Sequence, residues 1–293
     1  MRKLCILLAL LLILVLAGCT QQSQQAPILA TTKPVYDLTV LLCQSTGLEV
    51  GLLIDENISC LHDYSLSTTQ MRQIENAQMV ILSGAGLEAF PPQLLAGCRH
   101  LVEAAKDVPL LGCEDGHDHE HEHDGHSHEY DPHIWLDPEN AMLMAENICT
   151  GLVRHFPDHA DRIQANLENV LRQLESLQAY GEEMLQVLSC RQIITFHDGF
   201  AYLAQAFGLE ILASVEEESG SEASAQELIA LIEIVKQNDL PAIFNEVNGS
   251  PSASGVIAAE TSAKVYALNM AMGESDYFEA MYANIQTLKE ALE

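Results

Sequence analysis

Apolar residues follow two alternating rhythms along the chain. Short, mostly apolar runs, typical of buried strands, lie at 28–32, 79–82, 192–196, 210–214, 242–245 and 265–268. Between them, apolar residues recur at steps of three and four and predict helices over 35–45, 67–75, 139–156, 199–207, 224–237, 252–262 and 276–292. Ser67, with Gln70 three residues on, is a capping box that fixes one helix start, and Pro157 fixes one helix end. Short strands separated by helices in this way predict an α/β fold with parallel sheets.

One segment departs from the alternation. Ile163, Leu167, Val170, Leu174, Leu177, Met184 and Leu188 run at helical spacing, interrupted only at Gly181. A helix over 158–188 would be about 45 Å long at about 1.5 Å per residue, too long for a helix that covers one sheet. The heptad run is too brief for a coiled coil and its flanks are globular. The pattern therefore predicts two Rossmann-like α/β lobes joined by one long rigid backbone helix. The N-terminal lobe is expected over 27–156, the linking helix over 157–188 and the C-terminal lobe over 189–293.

The beginning of the chain has a separate logic. Arg2 and Lys3 precede an apolar run over 4–16, and Leu16-Ala17-Gly18 place small residues before Cys19. That run is too short to span a bilayer comfortably and reads as an export signal over 1–18. Leu-Ala-Gly-Cys is the bacterial lipobox. It predicts that Cys19 becomes the N-terminus, carries diacylglycerol and anchors the protein to the extracytoplasmic face of a bacterial cell membrane. Residues 19–26 would form the tether.

Charge narrows the partners. The chain carries a formal net charge of −29, and a phosphate backbone would be repelled by it, so nucleic acid is excluded as a natural partner. Most of the carboxylates serve solubility. Beyond Cys5 and Cys19, the cysteines are Cys43, Cys60, Cys98, Cys113, Cys149 and Cys190, with no C-x-x-C pair. They are either disulfide partners or buried thiols.

The candidate chemistry lies in the histidines. His117, His119, His121, His123, His126 and His128 are interleaved with Asp, Glu, Gly and Ser over 116–128. With no apolar residues to fold around, this segment is expected to be a loop whose imidazoles capture metal weakly and in several places. Three other histidines stand in loops. His62 precedes the capped helix, His133 lies in Asp131-Pro132-His133-Ile134-Trp135-Leu136-Asp137-Pro138, and His197 lies one residue past a strand. Ligands of α/β sheets gather beyond the carboxyl ends of strands, which makes these three a candidate site.

Over nearly all of the chain after the leader, these motifs resemble the zinc and manganese solute-binding lipoproteins that feed ABC importers. Thr32-Lys33-Pro34-Val35-Tyr36, Leu61-His62-Asp63-Tyr64 and the turn Ser83-Gly84-Ala85-Gly86-Leu87-Glu88 are similar to that family's elements. The segment 131–138 matches its Asp-Pro-His-x-Trp-Leu-Asp-Pro motif almost letter for letter. Phe196-His197-Asp198 and Ile243-Phe244-Asn245-Glu246 agree more loosely. The resemblance implies a metal site in the interlobe cleft with His62, His133 and His197 as ligands. It also implies a monomeric receptor that passes its cargo to an ABC transporter permease.

Ligand chemistry favours zinc, because three neutral imidazoles suit it, whereas the family's manganese sites resemble two histidines with two carboxylates. Where the family often has Leu-Asp-Pro, this chain has Leu268-Asn269-Met270, so the fourth position falls to water, Asn269, a loop histidine, Glu246 or Cys60, with water or Asn269 preferred. Three readings compete with a zinc receptor. One is the same role with manganese as cargo, and another is a zinc hydrolase using Asp198 or Glu246 as base, although these two read rather as groups that orient a ligand or as surface acids. The third is an adhesin-like surface lipoprotein with structural zinc.

Overall fold

The computed structural model describes residues 27–55, 64–112, 130–215, 223–247 and 249–293. The leader, Cys19 and the tether to residue 26, the segment with Cys60 and His62, and the histidine-rich segment with Cys113 lie outside the described residues.

Consecutive apolar residues set each buried strand, and the intervening amphipathic segments fold back over the sheet. The N-terminal lobe contains β1 (Ile28–Ala30), β2 (Val50–Leu52), β3 (Met79–Leu82) and β4 (Leu101–Glu103), paired in the order β2-β1-β3-β4 and all parallel. Its helices are α1 (Lys33–Leu42), α2 (Thr68–Asn76), α3 (Pro92–Ala96) and α4 (Pro138–His155). The linking helix α5 (Ala160–Leu185) follows. The C-terminal lobe repeats the plan with β5 (Gln192–Phe196), β6 (Glu210–Ser214), β7 (Ala242–Glu246) and β8 (Lys264–Leu268), parallel and in the order β6-β5-β7-β8. Its helices are α6 (Ala201–Ala206), α7 (Ala225–Gln237), α8 (Ser252–Glu260) and α9 (Tyr277–Leu292). Each sheet changes direction of growth at its central pair, β1/β3 and β5/β7, which opens a crevice at the carboxyl ends.

The expected capping box at Ser67 forms, and a second one stands at Ser224. Ser67 accepts from the Gln70 backbone N–H and Gln70 returns to the Ser67 N–H, and Ser224 and Glu227 do the same at the start of α7. Three elements differ from expectation. β2 and β4 are three-residue strands without a fully buried side chain, so their apolar signal is weak, and α3 is a five-residue helix entered through Pro92. The linking helix is also shorter than 158–188. Pro157 starts a 3-10 turn, Pro157–His159, and the α-helix runs for 26 residues from Ala160.

Helix α5 packs against α1, α4 and α9, and so touches both lobes. Asn166 donates to the carbonyls of Leu42 and Gln44 at 2.9 and 2.8 Å, satisfying the end of α1. The interruption at Gly181 is where the Phe207 ring seats: a Cβ there would lie 2.2 Å from Phe207 Cε1. One continuous core runs from Ile28 and Leu38 through Val170 and Leu174 to Phe207, Phe244 and Ile285, while a smaller one lies among β5, α7 and α8. Burial shared across the lobes holds them in a fixed relation.

Cys43, Cys98, Cys149 and Cys190 are free thiols, and burial pushes the Cys43 thiol up to about 12. These four therefore pack as small apolar groups. Among the described residues, no helix is long and apolar enough to cross a membrane.

Candidate metal centre

His133 stands where two prolines forbid regular helix. Pro132 precedes it, and Pro138 opens α4 with the Asp137 side chain capping at the Glu139 N–H. Between them Ile134–Leu136 forms one 3-10 turn with all three side chains fully buried. The turn is fastened to the C-terminal lobe twice. Trp135 Nε1 donates to the Met270 carbonyl at 2.8 Å, and the Tyr277 hydroxyl donates to the Trp135 carbonyl at 2.8 Å.

Asp131 Oδ1 accepts from the His133 backbone N–H at 2.9 Å and lies 2.7 Å from His133 Nδ1. A carboxylate can only accept, so this pairing puts the imidazole proton on Nδ1 and leaves the Nε2 lone pair for a cation. His133 as a whole is 2% exposed.

His197 follows the last residue of β5. Its ring centre lies 5.3 Å from that of His133, with the rings nearly perpendicular at 81°. Zinc bonds imidazole nitrogen at about 2 Å, so two imidazoles at a tetrahedral angle on one ion have ring centres about 5 Å apart. The observed pair fits that requirement. Room at His197 depends on Gly199, where a Cβ would lie 2.6 Å from His197 Cδ2, 2.8 Å from Nε2 and 2.7 Å from Met270 Cε. On the other side of the ring, Glu246, the last residue of β7, places Oε2 3.7 Å from His197 Nδ1, within ion-pair range. His133 thus has a carboxylate hydrogen-bonded at Nδ1, the arrangement that orients metal-binding histidines and makes them better donors, while at His197 the Glu246 carboxylate stands near Nδ1 at a distance longer than a hydrogen bond.

His62 lies outside the described residues, but both stems of its segment do not. Leu53, just past β2, donates to the Ala30 carbonyl and accepts from Gln70 Nε2 at 3.0 Å, and the same Gln70 amide donates to the Tyr64 hydroxyl. The segment thus leaves and returns at the carboxyl end of the N-terminal sheet. The six loop histidines also lie outside the described residues. Their stems meet in an antiparallel bridge between Gly112 and Tyr130, with the Asp131 N–H donating to the Leu111 carbonyl at 2.9 Å.

Asn269 occupies the turn after β8. Its Oδ1 accepts from the Ala271 N–H at 2.8 Å, its Nδ2 donates to Ser275 Oγ, and its backbone pairs both ways with the Asn284 amide. One lone pair of Oδ1 remains for a further contact. Asp198 is exposed. Among the described residues, no three His, Cys, Asp or Glu side chains gather as a metal site, so the described part of the centre is the two-imidazole pair with its carboxylates. A second imidazole pair, His100 and His155, has ring centres 3.7 Å apart, too close for two rings sharing a tetrahedral zinc.

Sequence reasoning picked out the histidines and offered Glu246 as an orienting carboxylate, but it missed Asp131 and the contacts between lobes. The Asp131 pairing was legible in principle, since a carboxylate two residues before a histidine across a proline can reach back to both its N–H and its ring. The contacts of Trp135 with Met270 and of Tyr277 with Trp135 span more than a hundred residues and leave no local signal.

A family model described as ZnuA, zinc-uptake complex component A periplasmic, matches residues 28–291. The zinc-binding lipoprotein AdcA of Streptococcus pneumoniae is 31% identical over 308 residues, covering 99% of this chain and 61% of the relative. The high-affinity zinc uptake system protein ZnuA of Bacillus subtilis is 27% identical over 282 residues, covering 90% of this chain and 87% of the relative. The crystal structure of Zn(II)-bound AdcA from Streptococcus pneumoniae superposes with a TM-score of 0.77 at 28% identity, covering 90% of this chain and 57% of that one. The chain thus spans about three fifths of the AdcA relatives it matches.

Proposed function

Because the chain belongs to the ZnuA family of zinc-uptake components, we propose that it is an extracytoplasmic receptor that captures Zn2+ between its lobes and delivers it to the permease of an ABC importer. The observation that carries this reading is the pair of carboxylate-backed imidazoles, His133 and His197, whose ring centres lie 5.3 Å apart. His62 supplies the third nitrogen from the segment whose stems sit at the carboxyl end of the N-terminal sheet. Water or Asn269 takes the fourth position.

The charge balance suits a divalent cargo. Three neutral imidazoles leave the full charge of the ion on the site, and the nearby carboxylates offset it, Asp131 through the ring it holds and Glu246 through its proximity to the His197 ring. Because Asp131 already holds Nδ1 of His133 and the backbone at Gly199 closes on the His197 ring, the imidazoles are oriented before the ion arrives. Less ordering is then required on binding. Manganese would be better served by oxygen donors in direct contact. Glu246 faces Nδ1 of His197 rather than the metal-facing nitrogen, which favours an orienting role over that of a base in a hydrolase.

The division into lobes over 27–156 and 189–293 with a linking helix between them, lipid attachment at Cys19 and a monomeric state belong to the same proposal. So does weak auxiliary capture by His117, His119, His121, His123, His126 and His128. The test is zinc titration, with chelator and manganese competition, of the soluble domain starting at residue 27, with and without residues 116–128. Both forms are expected to hold one tight zinc that manganese does not displace and to stay folded when it is stripped. Only the form with the loop should bind further zinc weakly. Melting on chelation would instead point to a structural metal, and loss of the tight equivalent with the loop would make the loop a ligand donor.

A further inference from the structure

We infer that the Tyr202 hydroxyl is a positioning group for zinc binding: it ties the element that follows His197 to the residue that holds His133, and so sets the spacing of the two imidazoles. This rests on the reading of His133 and His197 as ligands.

Tyr202 lies in α6, five residues after His197, and is 1% exposed. Its hydroxyl donates to the Asp131 carbonyl at 3.1 Å and accepts from the Leu111 N–H at 2.9 Å. Asp131 in turn holds His133 through both the backbone N–H and Nδ1. A continuous path therefore runs from β5 and His197, along the first turn of α6, through one phenol and one aspartate, to His133. Phe200, the fully buried residue that caps the start of that helix, packs edge-on against His197 with ring centres 6.4 Å apart. The same short helix thus bears on one imidazole and fixes the support of the other.

The phenol also braces the base of the histidine-rich segment. Leu111 and Asp131 already pair with each other by the Asp131 N–H, and Tyr202 takes up their two remaining groups from the opposite lobe. Phenylalanine would fill the same volume and leave the Leu111 N–H and the Asp131 carbonyl without that partner. Asp131 would then settle into a new position and carry the His133 ring with it. Metal–ligand distances tolerate only about 0.2 Å, so a small displacement matters at the ion.

The test compares Tyr202→Phe, His133→Ala and Asn166→Ala in the soluble domain. Asn166→Ala removes two cross-element hydrogen bonds far from the site and serves as the control for general destabilisation. Zinc affinity is read by chelator competition, release by stopped flow, and the His133 tautomer by side-chain 15N shifts of the metal-free protein. Tyr202→Phe is expected to lose about 10- to 100-fold in affinity, mainly through faster release, and to lose the single Nδ1–H tautomer of His133. Asn166→Ala should melt earlier yet bind zinc as wild type does. Wild-type affinity in Tyr202→Phe, alongside lost binding in His133→Ala, would overturn the role of Tyr202 alone. Equal losses in Tyr202→Phe and Asn166→Ala would reduce it to plain fold stability. Wild-type affinity in His133→Ala would remove the ligand assignment and the role of Tyr202 with it.

Discussion

Alanine at His133 or at His197 is expected to lower zinc affinity by about three orders of magnitude, some 4 kcal/mol at about 1.4 kcal/mol per tenfold. Each substitution removes one of three nitrogen donors. At position 133 it also leaves the Asp131 carboxylate facing a cavity in place of the ring it now holds at 2.7 Å. The loss should exceed the roughly 10- to 100-fold expected for disturbing a group that only supports a ligand. His62→Ala belongs to the same series and should behave alike, although its position comes from the sequence and from the stems of its segment. Chelator competition on each variant checks the result, with far-ultraviolet circular dichroism to confirm the fold. Three variants that titrate like wild type would place the tight site elsewhere.

Replacement of Cys19 by serine is expected to abolish lipid labelling completely. The lipobox reading requires a thioether to the lipid, and a hydroxyl cannot take the place of the sulfur in that bond. No electrostatic attachment would compensate, because a chain of net charge −29 is repelled by an anionic leaflet. Metabolic labelling with a radioactive fatty acid, followed by fractionation, should show an unlabelled protein that is either unprocessed or released. Labelling equal to wild type would show that the acyl chain is attached elsewhere and would end the anchoring proposal.

How far the structure was legible depends on the range of each interaction. β3, β5 and β7 were readable because each carries a short, mostly apolar run of buried residues, Met79–Leu82 being apolar throughout. The cap at Ser67 was readable because it is local by nature, and the box at Ser224 carries the same local signal. β2 and β4 were not readable, since three-residue strands with partly exposed side chains owe their existence to partners in the sheet. The long helix was visible from its stripe, but its start was displaced by a turn that Pro157 imposes, and its gap at Gly181 gained a meaning only once Phe207 was in place. At the site, residue types and loop positions singled out His133 and His197. The approach of Glu246 and Met270 to the His197 and Gly199 corner and the phenol of Tyr202 depend on contacts across the fold, which periodicity does not encode.

Anomalous diffraction at the zinc absorption edge, from crystals of the zinc-loaded domain lacking residues 116–128, tests the central claim most directly. The predicted result is one strong anomalous peak between the lobes, bonded by Nε2 of both His133 and His197 at about 2 Å, with His62 as the third nitrogen donor. A peak bonded by neither His133 nor His197, or no ordered zinc between the lobes, would contradict it.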